Sequence, residues 1–410
     1  MARRRFEVIV VGAGPVGLLF ASRLARQNSA RNLRLRVIDA HPPAGWQPNS
    51  VDPRVYALSR ESQRLLGELW GSVVSRRVSP YRRMRVWEGE SAFGHGSVVF
   101  DAADIGEPDL GHIVEDRLLR SVLLEDLSRT EVETSFGAGL DSLIPGRDSI
   151  EIRLGDGRTA TADLVVGADG TNSRVRAAVG IDAIRKDYVQ QAIVAHVETE
   201  NDHNETAWQR FLPSGPLAFL PLSDGRCSIV WSNSRSAAES LLALGDDEFL
   251  AELETASAGV LGRLGPCTER LAFPLSLAHA IRYTRDRVAL IGDAAHAVHP
   301  LAGQGMNLGL RDAAVLADTV SGAIARGEYP GDERVLRRYE RAQKARNLLM
   351  QLAFDGINEL FGLPLPDWAA PIRAMGLGAI DRIEPAKRLL MRRALGLDRA
   401  PVTSTAGYPA

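Results

Sequence analysis

"FEVIVVGAGPVGLLFASRLARQ" (Phe6–Gln27) is the stretch that decides how this chain folds. It opens with a short run of β-branched residues and continues with apolar residues at helical spacing. It therefore reads as a fully buried strand, a turn, then a helix. Within the turn, Gly12, Ala13, Gly14, Pro15 and Gly17 fit G-x-G-x-x-G. The first glycine permits the sharp turn, the second lets backbone approach a pyrophosphate, and the third lets the helix pack close to the strand. The helix start then offers free N–H groups and a partial positive charge to phosphate oxygens. A second strand, "LRLRVIDA", reaches Asp39, 22 residues after Gly17, where an acid is placed for a ribose hydroxyl. A glycine turn without a ligand would require none of this context.

Working outward, 410 residues are too many for one simple core and imply two intimately packed domains. A net charge of −2 excludes the basic footprint of a nucleic-acid binder. Cys227 and Cys267 have no metal-ligand spacing and are too few for a disulfide framework, which points to a reducing, cytoplasmic setting. The N-terminal "MARRRF" passes into an apolar run of about six residues, too short for a signal-peptide core or a spanning helix. No transmembrane segment and no internal repeat is evident. A second match to the glycine pattern, "GDGRTA" (Gly155–Ala160), lies between two strands and reads as a hairpin turn. One dinucleotide fold is expected, not two.

Further along, "ADLVVGADGTNSRVRAAVG" reads as a buried strand ending at Asp169-Gly170, then a short helix capped by Thr171 or Ser173. Asp169 there reads equally as a capping acid. Residues 185–275 predict strands joined by hairpins, followed by an amphipathic helix, "DDEFLAELETAS". The segment 81–100 is expected to join that sheet. "GHIVEDRLLRSVLLEDL" reads as a helix of the nucleotide domain. The expected division is a discontinuous nucleotide domain of 1–80, 101–184 and 276–335, with a sheet domain of 81–100 and 185–275. C-terminal helices (336–396) and a disordered polar tail (397–410) follow.

The stretch "VALIGDAAHAVHPLAGQGMNLGLRDA" (Val288–Ala313) places Gly292 and Asp293 just beyond a strand end, where open α/β sheets bind ligands. Its loop, with Gly303 and Gly305, feeds a helix starting near Met306-Asn307. Such a helix start suits a negatively charged ring edge. Asp293, His296 and His299 are also spaced as a metal triad would be. The glycine loop and Pro300 break any helix that would align them, so no metal is expected and His296 is read as structural.

At these residues the chain resembles the flavin-dependent aromatic hydroxylases, most closely those of ubiquinone biosynthesis. "GAGPVG", "VVGADGTNSRVR" and "GDAAHAVHPLAGQGMNLGLRDA" match the family's three motifs in order, across nearly the whole chain. The resemblance implies an α/β fold: a Rossmann-like FAD-binding domain, an inserted, mostly antiparallel β-sheet substrate domain and a helical C-terminal region. It implies that Asp39 binds the adenosine ribose and that Asp293 binds the ribityl chain. Asp169 would serve both the flavin and the reducing nicotinamide. Gly305, Met306 and Asn307 would present backbone N–H groups to the flavin's pyrimidine edge. Arg54 and Arg117 would touch the cofactor, although each also reads as a solvated or structural arginine.

By the same resemblance, NAD(P)H reduces bound FAD, and O2 adds to the reduced flavin as a C4a-hydroperoxide that attacks a phenolic ring. Water must be excluded, because the intermediate otherwise decays. Pro300 and His299 are the residues expected beside the flavin in the substrate pocket. Leu212-Pro213 and Phe219-Leu220-Pro221 are further candidate walls that read equally as core. A polyprenyl phenol is the expected substrate. The alternatives are a small aromatic or secondary metabolite, or a non-catalytic prenyl-lipid carrier on the same fold. A basic helix from Pro385, with Leu389, Leu390 and Leu395, reads either as packed on the body or as a peripheral membrane contact.

Overall fold

The computed structural model describes residues 5–28, 33–94, 96–146, 148–298, 304–362 and 381–397. Five parallel strands stand side by side in the order Glu133–Phe136, Leu33–Asp39, Phe6–Val11, Leu164–Gly167, Val288–Leu290. The short Thr284–Arg285 strand closes one edge antiparallel. Numbered along the chain this order is 3-2-1-4-5, so the winding reverses between Phe6–Val11 and Leu164–Gly167. At that reversal a crevice opens beyond the carboxyl ends of the strands.

Burial explains why these segments are strands. Val8, Val10, Leu164, Val165, Val166 and Val288 are fully buried on both faces of the sheet, and only a covered parallel sheet tolerates such uninterrupted apolar runs. The covering layers are the helices Pro15–Gln27, Asp116–Leu127 and Gln304–Ala325, together with a small antiparallel sheet. Leu143, Ile150 and Ile152 of that small sheet join the same core. The "GDGRTA" stretch turns between its strands Ile150–Leu154 and Thr159–Ala162, with Gly157 at φ +85°.

A second sheet of nine strands is mostly antiparallel and takes in Arg83–Glu88, Ser97–Asp101 and the 17-residue strand Ala183–Thr199. One pairing in it, Thr206–Leu212 with Arg83–Glu88, is parallel. Its outer face packs Trp87, Phe219, Ile229 and Trp231 into a core with Phe249 and Leu253. The last two belong to the helix Asp246–Ser257, which coincides with the amphipathic stretch read from the sequence. Side chains alternate along a strand, so Leu220 faces the other way, toward Ala57, Tyr81 and Ile113. Cys227 and Cys267 pair against Val197 from its two opposite neighbours. Two strand spacings, roughly 10 Å, separate them, beyond the reach of a disulfide. Burial also pushes the Cys227 thiol up to about 12.

Some segments differ from the sequence reading. Only the second part of "GHIVEDRLLRSVLLEDL" is helical. Gly111–Glu115 is a strand held between Val55–Ser59 and Ser79–Tyr81, and the helix begins at Asp116. The β-branched Ile113 and Val114 fit a pleated buried surface better than a helix. The position 275/276, read as a domain boundary, falls within one strand, Leu271–Ala280, and His296–Ala297 pairs into the same sheet. Most of the region read as a disordered tail, 398–410, lies outside the described residues.

Candidate active site

At the switch point lies a cavity of about 580 Å3, within the roughly 300–1,000 Å3 usual for small-molecule sites. Three separate stretches of chain meet around it. The first is the turn after Phe6–Val11. Gly12 sits at φ +112°, and a Cβ there would lie 2.2 Å from the Ala168 carbonyl oxygen. At Gly17 a Cβ would lie 2.2 Å from the Gly12 oxygen, so helix and strand could not close together. Gly14 is different: its φ of −71° suits any residue, and a Cβ would meet nothing within 4 Å. The protein's own packing does not require glycine at 14. The open space in front of it is the cavity.

Asp39 ends the neighbouring strand with its carboxylate beside this turn. Oδ2 accepts the Ala13 N–H at 2.7 Å and Oδ1 accepts the His41 N–H at 2.9 Å. Those bonds fix the group while leaving lone pairs for a ligand. Ala13 thus serves the site through its backbone, and Pro15, which has no N–H, occupies the first helical position.

The second stretch is Asp169-Gly170 after Leu164–Gly167. Asp169 accepts from Ser173 Oγ at 2.6 Å and from the Arg174 and Val175 N–H groups at 2.7 and 3.1 Å. Ser173 in turn caps the helix Arg174–Ala178 through the Arg176 N–H. Burial raises the pKa of the Asp169 carboxyl in spite of these bonds. Asp169 therefore does the capping work and lines the cavity as well.

The third stretch is Gly292-Asp293 and the start of Gln304–Ala325. Gly292 is buried at φ +58° and turns the chain so that Asp293 lines the cavity. The Asp293 carboxylate is open to the cavity, yet protein atoms surround it closely. That burial raises its pKa, while His296 and then Arg54 pull it down. Gly305 and Met306 line the cavity at the helix start, where the first N–H groups have no partner within the helix.

Not every residue singled out in the sequence reaches the cavity. The Asn307 side chain clamps a neighbouring strand and helix: Oδ1 accepts from Ser59 N–H and Ser62 Oγ at 2.9 and 2.6 Å, and Nδ2 donates to the Ala57 oxygen at 2.9 Å. Arg117 is directed to Asp52, at 3.5 Å, and does not line the cavity. Arg120, one turn on, does, and it pairs with Asp116 at 2.8 Å. Arg54 lines the cavity, with its guanidinium 5.5 Å from the Tyr56 ring centroid. Tyr56 and Arg120 were missed in the sequence. The i,i+4 pair Asp116/Arg120 was the available signal, since it marks a fixed arginine. Among the candidate walls, Phe219 belongs to the core on the sheet's outer face. His299 and Pro300 lie outside the described residues. Among the described residues no cluster of His, Cys, Asp and Glu has the arrangement of a metal site.

A family model described as "FAD binding domain" matches residues 5–351. The chain belongs to that family of flavoprotein monooxygenases. "Ubiquinone hydroxylase UbiL" of Rhodospirillum rubrum is 39% identical over 394 residues, covering 95% of this chain and 89% of that protein. "3-demethoxyubiquinol 3-hydroxylase" of Escherichia coli is 38% identical over 404 residues, covering 97% and 100%. Among solved structures, p-nitrophenol 4-monooxygenase PnpA of Pseudomonas putida matches with a TM-score of 0.77 at 20% identity, covering 98% and 100%. Klebsiella pneumoniae HpxO, complexed with FAD and uric acid, matches at 0.72 and 21%, covering 94% and 97%. At those identities the two structures speak to the fold alone. FAD is the cofactor of this flavoprotein, and the unfilled approach at Gly14 fits it.

Proposed function

We propose that this flavoprotein uses NAD(P)H and O2 to hydroxylate a phenolic ring, specifically that of a polyprenyl phenol in ubiquinone biosynthesis. One observation carries the reading: Gly14, Asp39, Asp169, Asp293 and the start of Gln304–Ala325 converge from distant parts of the chain on one cavity. The substrate class rests on the names of relatives that match almost end to end.

The family resemblance, together with the place of each residue at the cavity, supports the following parts. Asp39 would accept from the adenosine ribose. The open N–H groups of Val16 and Gly17, at the start of Pro15–Gln27, would hold the pyrophosphate, with Arg120 of the same cavity wall supplying positive charge. Asp293, with Arg54 beside it, would hold the ribityl hydroxyls. The N–H groups at Gly305 and Met306 would stabilise negative charge at the ring edge. Asn307 contributes by holding the strand Val55–Ser59, which carries Tyr56, against that helix. When bound, FAD supplies the two-electron chemistry that links nicotinamide oxidation to O2 activation. The protein orients the cofactor and keeps water from the reacting atoms.

The enzyme also has to meet an apolar substrate, and we place it for that purpose at the surface of a membrane. No helix among the described residues is long and apolar enough to cross one. The decisive assay adds prenylated and unprenylated phenols to the FAD-loaded enzyme. It measures NAD(P)H and O2 consumption together, with mass analysis of products. One oxygen atom added to a prenylated phenol per NAD(P)H consumed is the expected result. Coupled turnover of small phenols alone would overturn the substrate class. NAD(P)H oxidation without any hydroxylated product would overturn the reaction.

A further inference from the structure

Behind the cavity wall the structure encloses a set of polar side chains that the cofactor contacts do not use. Asp312, in the middle of Gln304–Ala325, is completely buried. Its Oδ2 accepts from His296 Nε2 at 2.5 Å and from the Gly292 N–H at 3.2 Å, and its Oδ1 accepts from Asn347 Nδ2 at 2.9 Å. His296 and Asn347 are buried as well. Burial works against charge on His296, but Asp312, joined by Asp293, raises the imidazole's pKa.

The set joins three parts of the molecule. Asn347 comes from the helix Glu333–Gly362, and Gln351, one turn later, donates to the Ala278 and Ala297 oxygens at 3.0 and 2.9 Å. His296 pairs across the sheet with His279, whose Nδ1 lies 2.8 Å from Gln351 Oε1. A hydrophobic side chain at 312 would pack between two helices without any of these bonds, and removing one partner of a buried charged set is costly.

One branch of these bonds ends at the turn that carries Asp293. Gly292–Ala294 is a single 3-10 turn entered through a left-handed glycine, so little regular structure holds it. Asp312 takes the N–H just before Asp293, and Arg176 Nη1 donates to the Ala294 oxygen just after it at 2.7 Å. Asp293 is thus held on both flanks.

We propose that Asp312 is a positioning residue for the cofactor, acting through His296 and the Gly292 N–H to hold the Asp293 carboxylate at the cavity wall. The inference rests on the reading of Asp293 as a cofactor contact. A double-mutant cycle tests both separately. Apoprotein of wild type, Asp312→Asn, Asp293→Asn and the double variant is titrated with FAD by flavin fluorescence, and folding is followed by circular dichroism.

Each single change is expected to weaken FAD binding by about tenfold or more. The double variant should be no more than about threefold weaker than the worse single one, because the two residues act through one contact. Unchanged affinity in Asp312→Asn, or its full factor repeated on top of Asp293→Asn, would overturn the proposal. Unchanged affinity in Asp293→Asn would instead overturn the contact on which it rests. Should Asp312→Asn fail to fold, the same cycle is run with substitutions of His296. His296→Gln keeps an N–H donor for Asp312 and is expected to bind FAD within about threefold of wild type. His296→Leu should lose what Asp312→Asn loses. Equal affinity of those two variants would refute the positioning role, since general packing damage does not depend on the donor.

Discussion

The Asp293 carboxylate faces a space that a cofactor fills, but protein surrounds it on the other sides. Burial therefore raises its pKa in the apoprotein, with His296 and Arg54 only partly opposing the shift. For an acid raised in this way, the stabilising contribution is complete below the unfolded value and is lost as pH rises through the folded one. The charged form is the strained form. On the proposed role of Asp293, ribityl hydroxyls donating to it would favour that same charged form and so link cofactor binding to ionisation. FAD affinity should accordingly rise with pH across a window whose midpoint lies above the ~3.9 of an unperturbed aspartate. In Asp293→Asn the dependence should flatten. Affinity should also fall by roughly tenfold or more, as expected when a charge-assisted hydrogen bond of ~1.5–3 kcal/mol is lost. Apoprotein of that variant should be at least as stable as wild type at neutral pH. FAD titrations from acidic to neutral pH, with thermal melts of both apoproteins, check all three outcomes. A wild-type profile that is flat down to the ordinary aspartate range would contradict the account.

The strand, turn and helix of Phe6–Gln27 show two glycines in one motif answering to different partners. Gly17 is fixed by the protein itself, since a Cβ there would lie 2.2 Å from the Gly12 oxygen. Gly14 is fixed only by what binds. Gly14→Val should leave the apoprotein's melting temperature near wild type while weakening FAD by about five- to 150-fold, the ~1–3 kcal/mol of an overpacked contact. Gly17→Val should lower the melting temperature directly. Equal loss of stability in both variants would show that Gly14 is also packed by the protein. This element could be read from the sequence because its period, glycine spacing and following acid agree with one another. The strand Gly111–Glu115 could not, because its pairing partners, Val55–Ser59 and Ser79–Tyr81, are far away in sequence. Its residues also run straight into a helix without a breaking glycine or proline. Arg117 and Arg120 share that helix, and only the folded position of Asp52 shows which of them turns away from the cavity. The two faces of Gly215–Pro221 were hidden for a related reason. Phe219 and Leu220 both read as candidate walls or core, and only the fold shows that Phe219 meets the helices while Leu220 meets the nucleotide domain.

At the scale of the whole molecule, the sheet over the nucleotide domain and the C-terminal helices decides which apolar surface remains outside. In the helix Glu384–Ala394, Met391 is buried against Ala102 and Leu220, and Leu395 just beyond the helix joins the same cluster. Lys387 is held by Asp104 at 3.1 Å and Asp381 at 3.3 Å. Leu395 and Lys387 therefore belong to the body. The outer side keeps Leu389, Leu390, Arg388, Arg392 and Arg393 exposed. A longer apolar face lies on Glu333–Gly362, where Leu349 is 68% and Leu352 57% exposed. Our proposal that the enzyme works at a membrane surface thus divides into an electrostatic contact and an apolar one. The arginines should give salt-sensitive binding of ~1 kcal/mol each near an anionic bilayer. Changing Arg388, Arg392 and Arg393 together to Gln should remove up to about 100-fold of the affinity for anionic liposomes at low salt and little at high salt. Leu349→Glu with Leu352→Glu should weaken association at both salt concentrations. Lys387→Gln should instead loosen the helix from the body, seen as faster proteolysis near residue 384. Flotation with anionic and neutral liposomes at two salt concentrations separates the contributions. Wild-type protein that stays unbound with anionic liposomes at low salt would remove the membrane from the mechanism, leaving the prenyl substrate to be delivered by another protein.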